Sequence, residues 1–175
     1  NTYTVSGLTT SDPSSVDVCR LTNAIGGTAV VKDAAGNDVT AQFEVTTENG
    51  TLEITKRTVT VKVEDRSLEY NGSEQYGNTT YTFNNVVNGQ TATITYTPSS
   101  GTLVNTYDNG VYANDFAVVD GEGNDVTGNY TLGEQTKGKL TIEDRTEKYE
   151  ITVVANSNTG NVYDGTEKSA TGFEK

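Results

Sequence analysis

Apolar and polar residues alternate with a period of two along most of this chain, the signature of strands that bury one face and wet the other. Val59, Val61 and Val63 are separated by Thr60 and Lys62, and the same beat runs through Tyr81 and Phe83, then Ala92, Ile94 and Tyr96. It continues at Phe116 and Val118, at Tyr130 and Leu132, and at Leu140 and Ile142. About six strands are predicted here, with Val59, Val61, Phe83, Ile94, Phe116, Val118, Leu140 and Ile142 as their core. Pairs able to supply positive φ stand between the strands: Asn71 with Gly72, Asn88 with Gly89, Asn109 with Gly110, and Asp120 with Gly121. No stretch of a dozen residues has helical periodicity, so hairpins rather than parallel βαβ crossovers are expected.

The pattern repeats. GNDVTAQFEVTTENGTLEITKR from Gly36 returns as GNDVTGNYTLGEQTKGKLTIEDR from Gly123, 87 residues on, and one inserted residue brings Gly50 to Gly138 at 88. Val59, Thr60 and Val61 correspond to Ile151, Thr152 and Val153, and Tyr70, Asn71 and Gly72 to Tyr163, Asp164 and Gly165, at offsets of 92 and 93. A third match links Tyr3, Thr4 and Val5 to Tyr81, Thr82 and Phe83.

The predicted fold is all-β, built of tandem small antiparallel modules. An immunoglobulin-like sandwich is favoured, with a β-grasp-like arrangement as the alternative. Two frames are open. In one, module 1 spans residues 1–77, lacks its own first strand and is closed by 58–77, and module 2 spans 78–175, closed by 146–175. In the other, 1–57 is a partial repeat, 58–145 a full one and 146–175 the start of the next. Ile151 and Val153 are the residues of the strand that closes a module or is donated to another. Closure within one chain is favoured because tethering gives a high effective concentration. Head-to-tail strand addition between chains is the alternative.

Composition narrows the chemistry. Hydrophobic residues make up 33%, enough for thin β-modules. A net charge of −12 repels polyphosphates and anionic lipid, so nucleic acid is not an expected partner. No run approaches the roughly eighteen apolar residues of a membrane helix, so membrane insertion is not expected either. No signal segment opens at Asn1 and no sorting motif stands near Lys175, which places any export address outside this stretch.

The single cysteine, Cys19, rules out an internal disulfide and reads as a half-exposed strand residue. There is no histidine, no tryptophan platform for sugar and no Gly-x-Ser-x-Gly elbow, and no catalytic residue or cofactor is assigned. Among 24 acidic residues, carboxylate pairs arise by chance.

One loop has the outline of a calcium site, with Asp120, Glu122, Asn124 and Asp125 as its oxygen ligands. The paired loop has Ala35 in place of Glu122, and no glutamate follows at the twelfth position. The favoured reading is therefore a turn whose Asx side chains cap their own backbone. Tyr70 and Tyr163 are expected to anchor the YNG and YDG turns, and Tyr3, Tyr81, Tyr96 and Tyr130 to join the core. Lys62, the candidate for an isopeptide crosslink, opposes Val61 and Val63 in parity and is expected in water.

GTLEITKR and GKLTIEDR, each after a GNDVT loop, together with YNG and YDG after a Val/Thr strand, resemble the MBG or YDG type repeat of large bacterial surface and adhesin-like proteins. The resemblance spans almost the whole chain. It implies a non-catalytic stalk or filament module of an exported, cell-surface protein whose partners are neighbouring repeats. The alternative it implies is an adhesion module that binds mucin, glycan or a host protein. The family's proline after the closing strand is replaced here by Lys56 and Arg57, and by Asp144 and Arg145.

Overall fold

The computed structural model describes residues 2–174, which leaves Asn1 and Lys175 outside the described residues. Its first part holds β1 (Thr4–Thr10), β2 (Cys19–Asn23), β3 (Ile25–Lys32) and β4 (Gly50–Ile54). Antiparallel ladders join β1 to β3 and β2 to β4. Then come β5 (Arg57–Val63), β6 (Arg66–Glu69), β7 (Gln75–Tyr76) and β8 (Tyr81–Asn84). These are followed by β9 (Thr91–Thr93), β10 (Tyr96–Thr97), β11 (Ser100–Gly101) and β12 (Asn105–Tyr107), and by β13 (Val111–Tyr112), β14 (Ala117–Val119), β15 (Tyr130–Thr136) and β16 (Leu140–Glu143). No α-helix occurs among the described residues; two single 3-10 turns, Thr40–Gln42 and Thr127–Asn129, complete the structure. The fold is all-β, with small and mostly antiparallel sheets.

Two ladders are parallel, which hairpin signals do not foreshadow. β5 lies between antiparallel β8 and parallel β15, and β16 lies between antiparallel β12 and parallel β6. Residues 57–69 therefore pair with 130–143 and with β8, and not with β1 to β4, the strands they would close in the first frame. Residues 146–174 form no strand. Their one ladder contact is a bridge between Ala155 and Phe173, and Ile151 and Val153 stand 83% and 61% exposed.

The alternation within β5 is realised in full: Val59, Val61 and Val63 are buried and Lys62 is exposed, paired with Glu64 at 3.0 Å. Val59, Val118 and Tyr130 form one cluster, and Ile94, Leu140 and Ile142 are also buried. Phe83 and Phe116 are only half-buried, with their rings in contact at a centroid separation of 5.8 Å. Tyr3 is 44% exposed rather than core, set edge-on against Phe43 at 4.9 Å.

Two of the expected turn glycines act differently. Gly72 and Gly89 have positive φ, but Gly110 and Gly121 do not. At Gly110 a Cβ would stand 2.2 Å from the Tyr96 hydroxyl, so glycine is needed for space. In the aspartate loop the positive φ falls on Gly123, at +87°, and on its counterpart Gly36.

Strand register corrects one sequence match. Thr4 faces Lys32 and Thr91 faces Val119, with both members 87 residues apart, so β1 is the counterpart of β9 and not of β8. The first copy therefore enters the repeat later than the match of Tyr3 to Tyr81 implies. Within the described residues before β4, nothing corresponds to β5 through β8.

That gap is visible in burial. Tyr130 is 4% exposed while its counterpart Phe43 is 40%, and Leu140 is fully buried while its counterpart Leu52 is half-buried. Residues 43–49 occupy the place of β15 yet form no strand, and no strand among the described residues lies beside them as β5 lies beside β15.

Candidate functional site

The aspartate loops are built from a short side chain turned back on its own backbone. Asp120 Oδ1 accepts the N–H groups of Glu122 and Asn124, and Asp120 Oδ2 accepts the Asn124 amide at 2.9 Å. Asp33 does the same with Ala35 and Asn37. The Asn124 amide, followed by that residue's backbone N–H, holds the Asp120 carboxyl below its ordinary range, and Asn37 does so for Asp33.

The four candidate ligands do not converge. Asn124 acts as a donor to Asp120, Glu122 is exposed, and Asp125 Oδ1 accepts from Thr127 N at 2.8 Å. Among the described residues no three His, Cys, Asp or Glu side chains are grouped as a metal site requires.

These loops set the next element. Thr127 Oγ1 accepts the Val118 N–H at 2.8 Å, and Thr40 Oγ1 accepts the Val31 N–H at the same distance. Each threonine thus seals a buried strand amide and starts the 3-10 turn that follows. Sequence reasoning passed over both, although their recurrence within GNDVT was visible.

Tyr70, Asn71 and Gly72 form a turn in which Asn71 Oδ1 caps Ser73 N, with Gly72 at φ +79°. The turn holds the chain leaving β16. Tyr70 N donates to Glu143 O, Arg145 donates to Tyr70 O, and Tyr149 Oη donates to Asn71 O. The Arg145 guanidinium also lies 4.2 Å from the centre of the Tyr149 ring. In the tail, Asp164 caps Thr166 in the same way and pairs with Lys168 at 2.8 Å, with Gly165 at φ +75°. Lys168, then Thr166, draw the Asp164 carboxyl down to about 2. Tyr163 itself is 94% exposed and anchors nothing.

The two copies meet at a clamp that sequence reasoning missed. Asn129 Oδ1 accepts Val18 N at 2.8 Å while Asn129 Nδ2 donates to Asp17 Oδ1 at 2.7 Å. A signal existed: the 87-residue offset puts Gln42 where Asn129 stands, so this position departs from its copy. Only Thr55 and Lys56 separate β4 from β5, and Arg57 is tied to Asn85 by its Nε and Nη2. An open cleft of about 630 Å³ lies at this junction, lined by Val16, Ile54, Arg57, Val87, Asp125 and Tyr130 among others. Valines and loop carboxylates dominate its wall, and the carboxylate of Asp125 is spent on Thr127.

Cys19 is half-buried in β2 opposite Ile54, as a strand residue. No helix among the described residues is long and apolar enough to cross a membrane. No protein-family model, no curated protein and no solved structure matches this chain.

Proposed function

We propose that the chain is a non-catalytic stalk or filament segment of a secreted or surface-displayed bacterial repeat protein, with neighbouring repeats as its partners. One observation carries this reading: the opening strands β5 and β6 run parallel to the closing strands β15 and β16. The chain enters the module at the start of β5, beside Tyr130, and leaves it at the end of β16, beside Glu69. A module threaded this way hands the chain onward and does not return it to its start. Residues 57–69 reach at most about 40 Å at the usual strand rise. The clamp of Asn129 on Asp17 and Val18, and the two-residue link before β5, support a fixed joint.

Small-angle scattering on proteins of increasing module number tests this. The longest dimension should grow by a constant step per module, at most about 40 Å. Growth as a compact globule would refute the stalk. The adhesin alternative predicts binding to a mucin or glycan array, on which a spacer is blank.

A further inference from the structure

We infer that Asn88 is a site of spontaneous covalent modification, closing to a succinimide on Gly89 and reopening to isoaspartate, and that the isoaspartate form releases the turn that holds Tyr130. The pair Asn-Gly occurs at 49–50, 71–72, 88–89 and 109–110. Glycine has no side chain to shield its nitrogen, so all four have the local sequence the reaction needs, and the fold decides among them.

Three of the four are held. Asn109 Oδ1 accepts Ser100 N at 2.8 Å while Asn109 Nδ2 donates to Ser100 O at 3.0 Å, and Gly110 N donates to the buried Ser99 Oγ. Asn49 Oδ1 accepts Ile25 N at 3.0 Å, and Gly50 is paired with Asn23 in the ladder of β4. Asn71 Oδ1 accepts Ser73 N at 2.9 Å. The fourth pair differs. Asn88 and Gly89 are both exposed, and among the described residues neither the Asn88 amide nor the Gly89 N–H has a hydrogen-bond partner. A Cβ built on Gly89 would meet nothing within 4 Å, so the nitrogen stands in open space. One bond closes the turn, Gln90 N to Val87 O at 3.0 Å. Its transient opening frees Asn88 to rotate its carboxamide carbon onto Gly89 N.

In the reaction Gly89 N loses its proton to hydroxide and attacks Asn88 Cγ. The new C–N bond forms as the Cγ–Nδ2 bond breaks and ammonia leaves. Water then opens the ring at either carbonyl. Opening at the backbone carbonyl gives isoaspartate, whose main chain runs through the side chain and is longer by one carbon. The flanking residues make that extra atom felt. Val87 N donates to Tyr130 Oη, and Tyr130 Oη donates to Gln90 Oε1. Tyr130 is buried against Val59 and Val118, and Val87 and Gln90 line the cleft between the two copies. A lengthened turn no longer sets Val87 and Gln90 at the spacing these bonds need.

Mass spectrometry of the full chain, aged in mildly alkaline buffer and fragmented so that aspartate and isoaspartate are distinguished, provides the test. In the folded protein the gain of one dalton should appear at residue 88 about fivefold faster than at 49, 71 or 109, the factor expected when one hydrogen bond holds the slower sites. In urea the four rates should converge, and Asn88→Gln should lack the early gain. Amide exchange should show Val87 and Gln90 less protected in the isoaspartate form than in the fresh protein, while freshly prepared Asn88→Asp, which adds the charge without the extra carbon, should keep their protection. Equal rates at the four sites in the folded chain, or a lead for residue 88 that persists in urea, would overturn the site. Unchanged protection of Val87 and Gln90 in the isoaspartate form would overturn the release.

Discussion

Replacing Leu140 with alanine, and in a separate protein Leu52 with alanine, isolates what one covering strand contributes. Both leucines occupy the same position of the repeat and face an antiparallel neighbour, Tyr107 for Leu140 and Leu21 for Leu52. Only Leu140 also has a parallel neighbour, Arg66 of β6, and only Leu140 is fully buried. Leu140→Ala removes a whole buried side chain and leaves a cavity, at about 3–5 kcal/mol. For a module of this size that lowers Tm by more than about 10 °C. Leu52→Ala removes a side chain already half in water and should cost about 1 kcal/mol. Urea unfolding followed by amide exchange in β16 and β4 reads the two separately. Equal losses at the two sites would refute the claim that the missing neighbour explains the difference in burial.

Thr127→Val keeps the shape but strands the buried Val118 N–H, so stability measured by urea should fall by about 1–3 kcal/mol, and an unchanged midpoint would contradict the sealing role. Asp33, Asp38, Asp115, Asp120 and Asp125 all titrate below 3.8 in the folded chain, each held by a neighbouring side-chain amide or hydroxyl. Their folded-state values lie below the unfolded ones, so their contribution is present above about pH 4 and is lost as pH falls through the folded values. A urea midpoint that stays flat from pH 4 down to pH 2 would count against it.

The alternation at Val59, Val61 and Val63, and at Leu140 and Ile142, was legible because burying one face leaves a period of two that no other element shares. The parallel ladders were not. β5 and β15 are separated by most of a module, and no local turn chemistry marks a partner that far along the chain. The match of Tyr3, Thr4 and Val5 to Tyr81, Thr82 and Phe83 misled because three residues of aromatic, threonine and apolar type suit any half-buried strand. The 87-residue offset of the GNDVT loops already pairs Thr4 with Thr91, which is where the ladder puts it. The aspartate loop was readable as a turn from the missing carboxylate at Ala35, whereas Asn129 stood out only as a departure from Gln42, and its partners needed the fold, since they lie 111 and 112 residues away.

The parallel pairing of β5 with β15 and of β6 with β16 also fixes how tension would act on the module. A pull between Arg57 and Glu143 runs along those strands and across their hydrogen bonds, which must then shear together. Antiparallel hairpin ends would instead peel apart one bond at a time. The second module should therefore give way at a higher force when stretched between its termini than when pulled open through residues on neighbouring strands at one end. A single-molecule experiment with the two attachment geometries would show it; equal forces would mean that the parallel ladders do not bear the load.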